Sequence, residues 1–199
     1  MYSTSPCAQA GCPEAAFAGS AYCVNHAPDL AERIRTLYEN ICSSRNAINL
    51  DLSSVPLIGL DFSRVRFVGC RFPGCRISHS MFTGASFRLC FFDRSTIDSC
   101  DFSGIDMDFC SFGDSDIFDT SFENSELIHA SFNGTRILEC TFSSSNLYDS
   151  RFIQSEIRNS RFEDCDFKRV YFMPKVSEAI STTNSNFTEA VKDMEHLYL

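Results

Sequence analysis

The chain has 199 residues with 20 phenylalanines, 11 cysteines and no tryptophan, and only 22% of it is charged, a composition too apolar for an intrinsically disordered protein. Twenty-six acidic against 17 basic residues leave a formal charge of −9, which disfavours nucleic acid phosphates and acidic membranes as ligands and favours a basic partner. No stretch reaches the 18 or more apolar residues of a membrane span.

The first segment, 1–28, has neither a basic n-region nor a continuous apolar h-region, which reads as a cytoplasmic protein with reduced thiols. It carries Cys7, Cys12, Cys23 and His26 among Gly11, Pro13 and Gly19, in a stretch too short to build a core of its own. Three thiolates and one imidazole can close a tetrahedral zinc shell, so these four residues are candidate ligands of one structural zinc in a small knuckle. Unbound thiols and a redox role are the alternatives. Four protein ligands leave no open position for catalysis.

Residues 29–49 follow. Asp29-Leu30-Ala31-Glu32 is similar to a capping box, and Leu30, Ile34, Leu37, Tyr38 and Ile41 share one helical face, predicting a helix over 29–42. It serves either as a lid or as a partner-binding helix.

From residue 50 to 173 the sequence repeats every five residues. Stepping by five from Leu52 to Phe172 meets 25 consecutive large apolar residues, of which 15 are Phe. Two positions before each stands a second inward register rich in Ser, Thr, Ala and Val, which also holds Cys70, Cys75, Cys90, Cys100, Cys110, Cys140 and Cys165. Those seven thiols read as packing residues. The other three slots are mostly polar, and six of the nine glycines occupy the slot two after the large residue, where tight turns are expected. A period of five matches neither helix nor plain strand.

Units such as Cys100-Asp101-Phe102-Ser103-Gly104 and Ser125-Glu126-Leu127 resemble the pentapeptide-repeat family. The resemblance implies an all-β solenoid, a right-handed four-sided parallel β-helix of about 20 residues per coil. The residues support four sides independently, since like stacks on like at a lag of 20: Ile77, Ile97, Ile117, Ile137 and Ile157 on one wall, Phe82, Phe102, Phe122, Phe142 and Phe162 on another. At the usual strand spacing of about 4.8 Å this makes roughly six coils and a rod about 29 Å tall. Its open ends need caps.

Pro174 is expected to end the repeat, 175–186 to be a polar linker, and 187–199 to form a helix through Ala190, Val191, Met194, Leu197 and Leu199. Members of the family that act on type II topoisomerases end in a helical segment joining two rods, which implies a homodimer through 187–199; a simple lid is the other reading.

No GxSxG, Walker, GxGxxG or HExxH motif occurs, and His79, His129 and His196 read as surface residues, so no catalytic residue is assigned and the chain reads as no enzyme. Charge is more informative. Between Arg94 and Arg136 there is no Lys or Arg, while Asp98, Asp101, Asp106, Asp108, Asp114, Asp116, Asp119, Glu123 and Glu126 form an acidic belt. Outward slots also place Phe118 and Leu138 on one wall, with Ile128 and Tyr148 on the opposite one, as contact residues. Two functions follow. One is a non-enzymatic protein-interaction scaffold. The other, implied by the resemblance, is an acidic mimic of duplex DNA that binds DNA gyrase or topoisomerase IV and modulates quinolone sensitivity, its partner being a protein and not nucleic acid.

Overall fold

A computed structural model describes residues 5–193 as a four-sided parallel β-solenoid of about seven turns, closed at its N-terminal end by one α-helix. Two sides carry named sheets. In one, Asn46–Ile48, Arg66–Val68, Ser86–Arg88, Asp106–Asp108 and Glu126–Ile128 pair in succession; in the other, seven strands run from Pro56–Ile58 to Val176–Glu178. The remaining sides are held by single bridges such as Asp61↔Met81, Met81↔Asp101 and Asp101↔Ser121. Every pairing within the rod joins residue i to i+20, from Asn46↔Arg66 to Tyr171↔Val191, which is the coil length.

The five-residue unit produces this geometry directly. The large residue points inward, two turn residues follow, and the second of these takes positive φ: Ser54, Arg64, His79, Asp114, Asn124 and Gly134 all lie near 50–70°. Glycine reaches that region without a Cβ clash, and Asn, Asp, Ser and His tolerate it through short polar side chains. The amide of each large residue then donates to the coil above, as in Phe62 N to Met81 O at 2.7 Å and Phe82 N to Asp101 O at 2.7 Å.

Inside, two opposite walls are ring columns. Phe82–Phe102, Phe102–Phe122, Phe122–Phe142 and Phe142–Phe162 stack at 4.4, 5.2, 4.9 and 4.7 Å between centroids. Phe92, Phe112, Phe132 and Phe152 do the same at 4.8–4.9 Å. The columns meet edge to face across the axis, as Phe122–Phe132 at 5.9 Å and 85°. Both geometries are favoured for aromatic quadrupoles, and each ring is enclosed by others of its own size, which accounts for the regular use of Phe.

The small inward register forms a second ladder. Ser95 Oγ donates to Phe72 O at 2.6 Å, Ser115 Oγ to Phe92 O at 2.8 Å and Thr135 Oγ1 to Phe112 O at 2.9 Å. The Ser115 and Ser95 oxygens in turn accept from the amides of Ser95 and Cys75. Thiols use the same positions: Cys75 Sγ contacts Leu52 O at 2.9 Å and Cys165 Sγ contacts Phe142 O at 3.0 Å. Ser and Cys interchange in this slot because both supply a short donor to a buried carbonyl.

The solenoid is longer than the apolar pattern implied. At its start Ala47 already fills a core position. At its end, residues 174–186 are not a linker: Val176–Glu178 pairs with Glu156–Arg158, Phe162 N donates to Ser181 O at 2.8 Å, and Ser185 Oγ reaches Phe162 O at 2.6 Å. The large slots of this turn are Ser177 and Thr182, and among the described residues no further coil covers them. Phe187 instead folds edge-on over Phe167 and Phe172 at 4.9 and 5.1 Å. Of the helix predicted over 187–199, the described part is a single 3-10 turn, Phe187–Glu189, followed by Val191 bridged to Tyr171; residues 194–199, with Met194, His196, Leu197 and Leu199, lie outside the described residues.

At the other end α1 (Leu30–Ser44) is the lid. Ile41 is buried, Tyr38 meets Phe62 edge-on at 5.3 Å, and Leu30, Ile34 and Leu37 pack on the same core. The expected capping box does not form. Asp29 sits at φ 54° with no side-chain cap bond, and the chain is turned instead by this left-handed residue and by Arg33 Nε donating to Pro28 O at 2.9 Å. Among the described residues no helix is long and apolar enough to cross a membrane.

Candidate functional site

The N-terminal segment folds around its cysteines. An antiparallel bridge, Pro6↔Ala15, with Cys7 N to Glu14 O at 2.9 Å, folds the chain back after a turn at Gly11, where φ is 76°. A second turn at Gly19, φ 77°, returns the chain so that Ala8 N donates to Ala21 O at 2.9 Å, and the tight turn Cys23–His26 closes with His26 N to Cys23 O at 3.1 Å. Phe17 and Ala18 fix this module to the rod: Phe17 joins the main core and Ala18 N donates to Asp51 O at 2.7 Å.

These turns bring the four predicted ligands together. Cys7 Sγ, Cys12 Sγ, Cys23 Sγ and one nitrogen of His26 all lie within 4.8 Å of one another. Cys12 and Cys23 sulfurs are 3.9 Å apart, and His26 Nδ1 is 3.6 Å from Cys7 Sγ and 3.3 Å from Cys23 Sγ. A tetrahedron with Zn–S near 2.3 Å and Zn–N near 2.0–2.1 Å has edges of about 3.8 Å between sulfurs and about 3.6 Å from sulfur to nitrogen, so the donor set fits a metal ion of that size. The Cys23 amide donates to Cys7 Sγ at 3.3 Å, the outer contact that favours a thiolate ligand. Burial pushes the Cys7 thiol up, but hydrogen bonds from the Cys23 and Gln9 backbone, and then from His26 and Cys23, outweigh it and bring Cys7 down to about 6. Cys12 moves the other way: a backbone hydrogen bond at Glu14 lowers it, and burial together with the neighbouring Cys23 and Cys7 raises it more.

The other cysteines are placed for packing. All seven in the rod are buried. Burial pushes Cys75 and Cys140 up to about 12 and Cys165 to about 11, and Cys90 rises to about 12, first through its contact with Cys110. Cys42, at the end of α1, is half-buried against Asp61 O at 3.4 Å.

The nine belt carboxylates do not form one face. Asp106, Asp108 and Glu126 share the five-stranded side, where Asp106 and Glu126 are register partners. Asp98 and Asp116 lie on the seven-stranded side, Asp101 and Glu123 on the bridge-held side between them, and Asp114 and Asp119 on corners. Several are engaged: Asp116 with Arg136 Nε at 3.0 Å, Glu123 with Thr141 at 3.0 Å, Glu126 with Asn146 at 2.8 Å and Asp108 with His129 at 3.1 Å. Burial works against the Asp101 carboxylate, but hydrogen bonds from Ser103 and Thr83 prevail and hold it below the usual range. Phe118 and Leu138 are only half exposed, Phe118 lying under the Arg136 guanidinium at 5.2 Å, and Ile128 and Tyr148 are likewise half-buried. The more exposed large apolar residues include Leu89 at 47% and Phe109 at 52%, which the wall assignment did not anticipate. Their signal was in the sequence: they are the only large apolar side chains in the turn slot otherwise filled by Gly, Asp, Asn, Ser and other polar residues.

The family model described as pentapeptide repeats (eight copies) matches residues 51–88 and 61–98, in the register described above. Residues 51–98 carry the repeat of the pentapeptide-repeat family. Solved pentapeptide rods resemble the chain at low identity. A trypsin-treated variant of QnrB1, described as a plasmid-mediated fluoroquinolone resistance protein, is 18% identical over 77% of this chain and 90% of its own, with a TM-score of 0.46. HetL from the cyanobacterium Nostoc, described as involved in heterocyst differentiation regulation, is 11% identical over 82% and 94%, with a TM-score of 0.39. Rfr23 from the cyanobacterium Cyanothece is 13% identical over 80% and 99%, also at 0.39. No curated protein matches. The family resemblance rests on this match and on the five-residue register.

Proposed function

We propose that this pentapeptide rod is a non-enzymatic, cytoplasmic protein-interaction scaffold whose N-terminal knuckle holds one structural zinc through Cys7, Cys12, Cys23 and His26. The observation that carries the scaffold reading is the unbroken 20-residue register: a filled aromatic interior makes the rod stiff, and nearly all chemical variety is displayed on the walls. The observation that carries the zinc reading is the four-donor cluster with tetrahedral spacing. When bound, such a metal supplies folding energy and no chemistry. Purification without chelator followed by elemental analysis is expected to find about one zinc per chain, and Cys12→Ser to lose it while Cys42→Ser keeps it. Retention of the metal by Cys12→Ser refutes the assignment.

A second reading, an acidic mimic of duplex DNA directed at gyrase or topoisomerase IV, is supported by the belt. Nine carboxylates within 98–126 stand on three of the four sides and two corners of the rod, at least as dense along the axis as the one charge per about 1.7 Å of a duplex. Micromolar protein is expected to inhibit gyrase supercoiling or relieve its inhibition by a fluoroquinolone, and indifference in both assays removes this reading for gyrase. Pairing of two rods through the C-terminal segment belongs to the same proposal. Its test is sedimentation of a chain lacking 194–199, because a cut at Met173 would remove the last coil as well.

A further inference from the structure

We infer that the corner carrying Leu89, Phe109 and His129 is the docking ridge of this scaffold, and that its ligand is a protein segment presenting an apolar side chain flanked by lysine or arginine. The inference deepens the scaffold reading and rests on it. The three residues follow one another at the i+20 spacing on the corner beside the five-stranded side, one per coil, so they form a continuous strip along the axis.

Three independent observations single this corner out. Phe109 and Leu89 have φ of 51° and 54°, the left-handed region that bulky side chains avoid. Both nonetheless leave about half their surface in water, 52% and 47%, so burial does not offset the backbone strain. Strain kept at an exposed position without local return is a mark of function. The ridge is also preorganised. The Phe109 and His129 rings stack at 4.4 Å and 10°, and the imidazole is fixed by Asp108 at 3.1 Å on Nδ1 and by Asp149 at 3.7 Å on Nε2. An aromatic anchor held in one orientation loses little freedom on binding.

The charge around it selects the ligand. Asp106, Asp108, Glu126 and Asp149 flank Phe109 and His129 in the middle of the strip, while the arginines stand towards its ends, Arg66 and Arg88 on the Leu89 side and Arg151 and Arg169 beyond His129; Arg151 lies against the Tyr171 ring at 5.8 Å, and Arg169 is engaged by the Tyr148 hydroxyl at 3.2 Å and its ring at 5.7 Å. An apolar strip whose middle, at Phe109 and His129, is bordered by carboxylates is complementary to an apolar residue between basic ones.

Two measurements on the full chain decide the matter. Phe109→Gly, and separately Leu89→Gly, are expected to leave the melting temperature unchanged or raise it, because glycine takes the left-handed conformation freely. A fall of more than about 4 °C for Phe109→Gly makes the ring a structural element and overturns the proposal. Random dodecapeptides displayed on phage and panned on the intact protein are expected to enrich sequences with Lys or Arg beside an aromatic or aliphatic residue. Their affinity should fall about tenfold or more in Phe109→Gly and weaken with added salt. Enriched peptides that are acidic, or that bind Phe109→Gly equally well, overturn the ridge while leaving the scaffold reading intact, and a screen that enriches nothing overturns the ridge as well. Pull-down from a cell lysate with the intact protein tests the scaffold reading separately.

Discussion

Phe122→Ala probes what holds the rod together. The Phe122 ring is fully buried, stacks on Phe102 at 5.2 Å and Phe142 at 4.9 Å, and meets Phe112 and Phe132 edge-on at 5.8 and 5.9 Å. Removing a buried Phe side chain costs about 3–5 kcal/mol. Four ring partners, each contributing about 0.5–1.5 kcal/mol beyond area, place this site at the upper end, about 5 kcal/mol. The coils above and below are held apart by their own ladders, from Phe102 N to Ser121 O at 2.7 Å to Phe122 N to Thr141 O at 2.7 Å, so the walls cannot collapse into the void. For a chain of this length the melting temperature should fall by about 10–20 °C. Thermal unfolding followed by circular dichroism and calorimetry gives the number, with Phe122→Leu expected between the two. A fall below about 4 °C for the alanine variant refutes the argument that stacked rings dominate the core.

Ser115→Ala removes a hydroxyl that donates to Phe92 O at 2.8 Å and accepts from Ser95 N at 3.1 Å, both in the dry interior, and should cost about 1–3 kcal/mol in the same melt. Ser115→Cys should recover part of that loss, as the natural thiols in this slot imply. The core thiols predict an alkaline limit. Cys75, Cys90 and Cys140 are raised from 9.0 to about 12, so the folded state keeps protons that the unfolded chain releases. Their contribution is complete below pH 9 and is lost as pH rises towards 12, which a pH series of urea melts should record as falling stability across that window. A flat profile there contradicts the burial of these groups. At pH 8 iodoacetamide should leave the same three residues unlabelled until the protein is unfolded, with mass spectrometry as the readout.

The repeat made most of this legible, because a period of five with like residues at a lag of 20 admits few other arrangements. What it concealed lay where a rule of the interior ceases to apply. Ser177 and Thr182 break the apolar series and read as a linker, yet the backbone of their coil bonds to the preceding coil without apolar residues in those slots. Asp29 has the chemistry of an N-cap, but its left-handed backbone, at φ 54°, leaves its side chain without a bond to the first turn of the helix. The candidate metal ligands were readable as residue types, and their convergence depended on glycine turns at 11 and 19 whose direction no spacing encodes. Phe109 is visible in the sequence as a ring in a turn slot, but only the folded corner shows it stacked on His129 and half in water.

The invariant step of 20 residues has a consequence for how such a molecule can change. Duplicating or deleting one whole coil in the interior shifts everything beyond it along the axis by about 4.8 Å and leaves its angular position untouched. The separation between the knuckle at one end and any group on a wall is therefore adjustable in equal increments, as on a ruler, without redesign of the surface. A gain or loss of fewer than five residues moves large side chains out of their slots for every coil that follows, so heritable length variation in this rod is quantised.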